Sequence, residues 1–303
     1  MVRSSPLATI TPVIINPVAR GRRARGAATM IGGLSPQIEL RFTQGPEDAQ
    51  RLGLEAAREG AAIVVAAGGD GTVGQVAAGL CRARSEGLAP ALGILPAGTM
   101  NVFARELGIP LNLRDAWRVI EGGHRRTIDA WIANQTPFLQ LGGIGIDAEI
   151  VRLTTASDKV RFGPFGYARS ALKVAARPSP PFLVCDDQGE TREGVALLMG
   201  NGRFYGGPVP VFPGASLEDG LLDVILLADR SPSTLASLAH AVGFADFAAQ
   251  ERVHYFQTRH LQIREINEIE VPLELDGEPM GGSPVEVRLA DAPIDVLCPR
   301  RAR

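Results

Sequence analysis

The chain has 303 residues, 45% of them hydrophobic and 21% charged, with a formal net charge of −2. That length supports one or two domains with real cores, and a near-neutral charge with only 5% aromatics argues against a nucleic-acid partner. Cys81, Cys185 and Cys298 stand far apart with no C-x-x-C, so neither a disulfide frame nor a thiolate metal site is expected. No secretory leader is read before Asn16, and no run of about 18 apolar residues occurs, so the expectation is a cytoplasmic protein whose membrane contact is peripheral.

In chain order, Pro12–Asn16 reads as a buried strand, Arg22–Leu34 as a helix weakened by glycines, and Ile38–Thr43 as a second strand. Pro46–Glu59 reads as a helix with proline in its first turn. Ala62–Ala67 is a strand, Val73–Glu86 a helix, Ala91–Leu95 a strand, and Asn101–Leu107 and Leu113–Glu121 are helices. This alternation predicts a mostly parallel sheet covered by helices over residues 1–130, with 291–303 a candidate to return to it. From Thr127 the pattern turns to short β runs. They are Thr127–Ala133, Phe138–Leu141, Phe182–Cys185, Val195–Met199, Leu221–Leu227, Val253–Phe256, His260–Ile266, Ile269–Leu275, Val285–Leu289 and Ile294–Leu297. Residues 131–290 are therefore expected to form an antiparallel β-sandwich, interrupted by helices over Ala148–Ala176 and Pro232–Gln250. A cleft between two such domains is a common ligand site.

Two turns carry chemistry. Gly68-Gly69-Asp70-Gly71-Thr72 ends a strand and opens a helix. Glycines let a phosphate approach the backbone, and a helix N-terminus offers free N–H groups. Gly69, Gly71 and Gly74 also match G-x-G-x-x-G, but no acidic residue follows from Leu88 to Ala104, as a dinucleotide site requires, and no Walker A lysine is present. Leu95-Pro96-Ala97-Gly98-Thr99 ends the neighbouring strand in the same way. Two such turns at adjacent strand ends suggest a triphosphate held by backbone and hydroxyl groups; as structure alone, each is a tight strand-to-helix connection.

Taken together, "GGDGT", "GILPAGTMNVFARELGIP", "GGIGIDA", "NGRFYGGPVPVFPGASLEDGLLDV" and "LDGEPM" occur in an order and spacing that resembles the diacylglycerol kinase catalytic-domain family, over nearly the whole chain. The resemblance implies an α/β nucleotide-binding domain like that of NAD kinases and phosphofructokinases, and a β-sandwich domain after it. It implies ATP held by Asn16, Thr43, Gly68, Gly69, Asp70, Gly71, Thr72, Val73, Gly74 and Thr99. It implies Mg²⁺ held by Asp219 with backbone carbonyls at Ser216 and Leu221, an oxygen set that suits a hard cation. It places a general base in the Asp-Gly-Glu segment, where Glu278 and Asp276 rank close together, with Asp70 a third catalytic candidate. Period two in a strand would set Asp276 and Glu278 on one face, whereas Asp-Gly also signals a hairpin turn. Asp129 is read either as a support for metal-bound water or as a structural residue.

The implied reaction is transfer of the ATP γ-phosphoryl group to a lipid hydroxyl, with a lipid acceptor at the membrane surface as partner and homodimerisation open. The chain departs from the family pattern at Gly74-Gln75, where Asn-Glu is usual, and at Val18-Ala19-Arg20, where a serine and a glycine are usual. Arg20, Arg22, Arg23 and Arg25 add charge there, either as phosphate ligands or as a solvated loop. Two other readings stay open: a catalytically weak regulatory protein on the same scaffold, and a kinase of a soluble acceptor such as NAD.

Overall fold

The most apolar runs of the first third, Thr11–Ile15, Ile63–Gly68 and Ala91–Pro96, become parallel strands buried along their whole length, while Ile38–Phe42 forms the half-exposed edge strand. The computed structural model describes residues 10–17, 28–145, 180–248 and 250–300. The chain divides into two units: one of residues up to Ala130 with Gly206–Pro208 and the stretch from Ala290 onward, the other of Trp131–Tyr205 and Val209–Leu289.

In the first unit, β1 (Thr11–Ile15), β2 (Ile38–Phe42), β3 (Ile63–Gly68) and β4 (Ala91–Pro96) run parallel, with Ile15 opposite Phe42 and Ala67, and Gly68 opposite Pro96. Their carboxyl ends therefore share one edge of the sheet. Helix α1 (Asp48–Arg58) packs on α2 (Asp70–Ser85), and α3 (Val102–Glu106) and α4 (Leu113–Gly122) follow β4. Asn112 starts α4 by accepting the Arg114 and Asp115 N–H groups. Helix α2 begins at Asp70, three residues before the expected Val73, because Asp70-Gly71-Thr72 forms its first turn. Of the expected helix over Arg22–Leu34, helical residues are described only over 28–32; Arg20, Arg22, Arg23 and Arg25 lie outside the described residues.

The run expected as one strand, Thr127–Ala133, is two. Strand β5 (Arg125–Ile128) belongs to the first unit and β6 (Trp131–Ala133) to the second, and the half-buried Asp129 sits at the break. β-forming residues on either side of the break hide it from sequence patterning.

The second unit stacks two antiparallel sheets. The remaining strands are β7 (Thr136–Phe138), β8 (Leu141–Gly145), β9 (Phe182–Asp186), β10 (Thr191–Gly194) and β11 (Ala196–Gly200). They continue with the short pair β12 (Phe204–Tyr205) and β13 (Val209–Pro210), then β14 (Leu222–Leu227), β15 (Val253–Thr258), β16 (His260–Glu265), β17 (Pro272–Leu275), β18 (Glu278–Gly282) and β19 (Val285–Leu289). One sheet has the order β10-β9-β16-β19-β6-β7, the other β15-β14-β11-β8-β17-β18. Alternate residues of both, among them Trp131, Phe138, Ile144, Phe182, Leu197, Val224, Ile263 and Val287, close a fully buried core. Helix α5 (Pro232–Phe244) stops before the expected Gln250, at Ala245 in the left-handed conformation. The expected helix over Ala148–Ala176 lies outside the described residues.

A last strand, β20 (Ile294–Leu297), completes the first unit's sheet, whose order is β2-β1-β3-β4-β20-β5. It runs parallel to β4 and antiparallel to β5. The fold is thus an α/β unit with a mostly parallel sheet and an antiparallel β-sandwich.

Candidate functional site

At the carboxyl edge of the first sheet, Asn16 follows β1, Thr43 follows β2, the segment Gly68–Gly74 runs from β3 into α2, and Thr99 follows β4. The parallel register thus brings all the predicted nucleotide residues to one edge. Thr43 is buried, its N–H donating to the Ile15 carbonyl; Asn16 is half-buried; Thr99 is exposed.

The two turns touch backbone to backbone. The Gly68 carbonyl accepts the N–H groups of Ala97 and Gly98, at 2.8 and 3.1 Å. A Cβ on Gly98 would lie 2.3 Å from the Gly69 Cα, so glycine there is demanded by the packing of one turn on the other. The Thr72 side chain closes over Gly68, where a Cβ would meet its Oγ1 at 2.5 Å. Asn101, in the left-handed conformation, clamps the second turn by accepting the Gly98 N–H at 2.8 Å and donating Nδ2 to the Gly98 carbonyl at 3.0 Å.

Asp70 ties the turns together. Its Oδ1 accepts the Phe103 N–H at 3.2 Å, and the Val102 and Asn101 amides also face the carboxylate. Burial pushes the Asp70 carboxyl above its usual range, against the pull of these amides. Its negative charge lies where α2 and α3 both begin, the favourable end of each helix for an anion.

In the second unit, β17 and β18 are joined by the two-residue turn Asp276-Gly277, with φ of 49° and 82°. That pair of left-handed residues is the hairpin turn that matches strand twist. The expectation that Asp276 and Glu278 share one strand face is therefore corrected: Asp276 is a turn residue, and only Glu278 lies in a strand. The Asp276 carboxylate is fully engaged by backbone: Oδ2 accepts the Leu139 N–H at 2.9 Å, and Oδ1 accepts those of Gln140 and Leu141 at 2.9 and 3.1 Å. Its own N–H donates to the Leu141 carbonyl at 2.9 Å. Glu278 opens β18 with its side chain exposed.

Three residues that sequence reasoning missed support this hairpin. Asn201, fully buried, donates to the Leu139 carbonyl at 2.7 Å and accepts the Trp131 indole N–H at 3.0 Å, fixing the segment that holds Asp276. Glu274, also fully buried, accepts the Gly277 N–H at 2.9 Å and the Tyr205 hydroxyl at 3.1 Å. In the Leu-Glu-Leu alternation Glu274 reads as a solvent-facing residue, and nothing local announces a tyrosine on its other side. The signal for Asn201 was its place in the quoted Asn-Gly-Arg-Phe-Tyr stretch.

Ser216, Asp219 and Leu221 lie in the one loop before β14. Exposed Asp219 accepts the Leu221 N–H at 3.0 Å across a turn that Gly220 makes with φ 68°. Behind it, Asp223 is fully buried and bonds the Tyr255 hydroxyl and the Gln257 amide. Burial pushes the Asp223 carboxyl up, the Tyr255 and Gln257 bonds oppose this, and the nearby Asp219 charge adds to it. Among the described residues no three His, Cys, Asp or Glu side chains cluster for a metal. A cation in this loop would rest on one carboxylate and backbone carbonyls, a hard-oxygen set that fits Mg²⁺.

Comparison with known proteins follows the same division. Residues 11–132 match the family described as "Diacylglycerol kinase catalytic domain", and residues 142–298 match the "YegS C-terminal NAD kinase beta sandwich-like domain". Curated relatives from Salmonella typhimurium and Salmonella dublin, each named "Probable lipid kinase YegS", are 31% identical over 273 residues, covering 88% of this chain and 87% of theirs. A solved structure of a diacylglycerol kinase from Bacillus anthracis str. Sterne superposes with a TM-score of 0.72 at 23% identity, covering 96% of this chain and 97% of its own. Another chain from the same organism gives 0.80 at 24% identity, covering 99% and 98%. These structural likenesses bear on the fold.

Proposed function

The chain belongs to the diacylglycerol kinase catalytic-domain family and is a lipid kinase, and from this premise we propose that it moves the γ-phosphoryl group of ATP to the hydroxyl of a diacylglycerol-like lipid with the aid of Mg²⁺. The turns after β3 and β4, with Asn16, Thr43 and Thr99 beside them, are the ATP phosphate site. Asp219 and the carbonyls of Ser216 and Leu221 would hold the cation, which when bound supplies neutralisation of phosphate charge.

The observation that carries the assignment of roles is the contrast within the Asp276–Glu278 hairpin. Asp276 has both oxygens bound to backbone amides, while Glu278 stands exposed two residues on. Asp276 is therefore the positioning residue, and Glu278 the general base that accepts the lipid hydroxyl proton as the new P–O bond forms. Asp70, engaged with the start of α3, is read likewise as a residue that shapes the phosphate turn.

The test is phosphoryl transfer from labelled ATP, with Mg²⁺ and a total lipid extract in detergent micelles, using Glu278→Gln as control. A labelled lipid that vanishes with the variant supports the reading, and its mobility identifies the acceptor. ATP binding without transfer to any lipid would replace it with a regulatory binding role, centred on the unusual Gly74-Gln75.

A further inference from the structure

The segment from Asn201 to Tyr205 reaches the Asp276-Gly277 turn by two routes, each through one intermediary. The first starts at Asn201, which is fully buried. Its Nδ2 donates to the Leu139 carbonyl at 2.7 Å, and its backbone N–H donates to the Gln140 carbonyl at 2.8 Å. In a trans peptide the C=O and the N–H that follows it point in opposite directions. Holding those two carbonyls toward Asn201 therefore turns the N–H groups of Gln140 and Leu141 the other way, onto Asp276 Oδ1 at 2.9 and 3.1 Å. Asn201 is itself fixed, since its Oδ1 accepts the indole N–H of the fully buried Trp131.

The second route starts at Tyr205. Its hydroxyl donates to Glu274 Oε1 at 3.1 Å, and Oε2 of the same buried carboxylate accepts the Gly277 N–H at 2.9 Å. The Tyr205 ring stands edge-on to the fully buried Phe212, with centroids 6.1 Å apart, and its backbone pairs with Val209. One turn residue is thus held by its side chain, from Asn201 through Leu139–Leu141. The other is held by its backbone N–H, from Tyr205 through Glu274.

In a two-residue hairpin the turn conformation sets where the returning strand starts, and here that strand opens on Glu278. Burying an amide and a carboxylate costs free energy that apolar side chains would not. Stability alone therefore accounts poorly for Asn201 and Glu274, whereas the placing of the turn accounts for both. We propose that Asn201 and Tyr205 are positioning residues for phosphoryl transfer, which together fix the turn that presents Glu278. The proposal rests on the reading of Glu278 as the general base and deepens it.

The test follows transfer from labelled ATP to lipid in detergent micelles for the full chain carrying Tyr205→Phe or Asn201→Asp, each alone and each combined with Glu278→Gln. Tyr205→Phe should lower kcat about 10–100-fold and leave the KM for ATP unchanged. Asn201→Asp, which sets an oxygen against the Leu139 carbonyl, should lower kcat at least as far. With Glu278→Gln already in place, neither should reduce the residual rate further, because the base they position is gone. Amide exchange followed by NMR reads the two routes apart. Gly277 should lose protection in Tyr205→Phe, and Gln140 and Leu141 should lose it in Asn201→Asp. Rate losses of equal size with and without the Glu278 carboxylate would reduce both residues to general stabilisers and overturn the proposal. An unchanged kcat, or a loss of protection spread evenly over the chain, would overturn it too. Tyr205→Phe removes a single hydroxyl and decides the matter alone if Asn201→Asp does not fold. If the wild type binds ATP yet phosphorylates no lipid, the kinase reading is the one that fails, and the brace on the turn stands or falls by the exchange pattern.

Discussion

The glycine turns of the first unit and the β17–β18 hairpin of the second use an aspartate in the same way and leave different residues to the solvent. Asp70 draws the start of α3 onto its turn, and Asp276 draws the segment Leu139–Leu141 onto its hairpin. In the first unit the join is backbone against backbone, glycine on glycine, and Thr99 is left at the tip. In the second the join is a carboxylate in a nest of amides, and Glu278 is left outside. The comparison teaches that an acidic residue inside a motif can build the loop with its carboxylate while its neighbour is left to the solvent.

The largest effect expected is on the exposed member of the hairpin. Glu278→Gln should lower kcat by about 10²–10⁴-fold, with an unchanged melting temperature because the side chain is exposed. If Asp276→Asn gave the same loss at full stability, the division between builder and base would collapse. Instead, Asp276→Asn should cost about 1–3 kcal/mol in urea unfolding, because an amide nitrogen then faces backbone N–H groups. In the first unit, Gly98→Ala should cost about 1–3 kcal/mol through overpacking against Gly69. Gly122→Ala in α4, where an added methyl meets nothing within 4 Å, should stabilise by about 0.5–1 kcal/mol; equal effects at both glycines would deny the turn-on-turn contact its role.

The smallest effect is a difference in sign with pH. Burial raises the Asp70 carboxyl, so its contribution to stability is fully present below its unfolded value and is lost as pH rises through the higher folded value. Asp186, in the β9–β10 hairpin, is the reverse case. Burial alone would raise it, but Arg192 at 2.8 Å and the amides of Glu190 and Gln188 hold it below its usual range. Its contribution is present above the unfolded value and is lost as pH falls through the folded one. Against Asp70→Asn, the wild type should therefore gain stability as the solution is acidified, and against Asp186→Asn it should lose it. Parallel slopes in urea titrations across the acid range would contradict both assignments.

Much of this fold is legible in sequence because apolar runs and their periods are local. The runs that became β1, β3 and β4 and the helix that became α1 are of this kind. The turn chemistry was legible too: Asp-Gly marks the hairpin, and Gly-Gly-Asp-Gly marks the strand-to-helix turn. What stayed hidden depends on partners far along the chain. The packing of Gly98 on Gly69 joins two turns that the sequence shows only one at a time. The three amides of Leu139–Leu141 on the Asp276 oxygens come from some 135 residues earlier in the chain, beyond the reach of any local pattern. Glu274 meets Tyr205, 69 residues earlier, which no alternation of apolar and polar residues can announce. The break at Asp129 was hidden for the opposite reason, since the residues around it suit a strand equally well on both sides.

Strand β20 lies between β4 and β5, with Val296 beside Leu92, the Asp295 carboxylate receiving the Thr127 hydroxyl, and the Cys298 N–H donating to the His124 carbonyl. The second unit is thus an insertion within the first unit's sheet. On a ribosome the residues of β4 and β5 emerge long before the strand that fits between them. A nascent chain must hold that gap open while the whole sandwich is made. The first unit, although first in sequence, is the last to be finished, and any event that cuts the message short before Ile294 leaves an unpaired strand edge for chaperones or proteases to find.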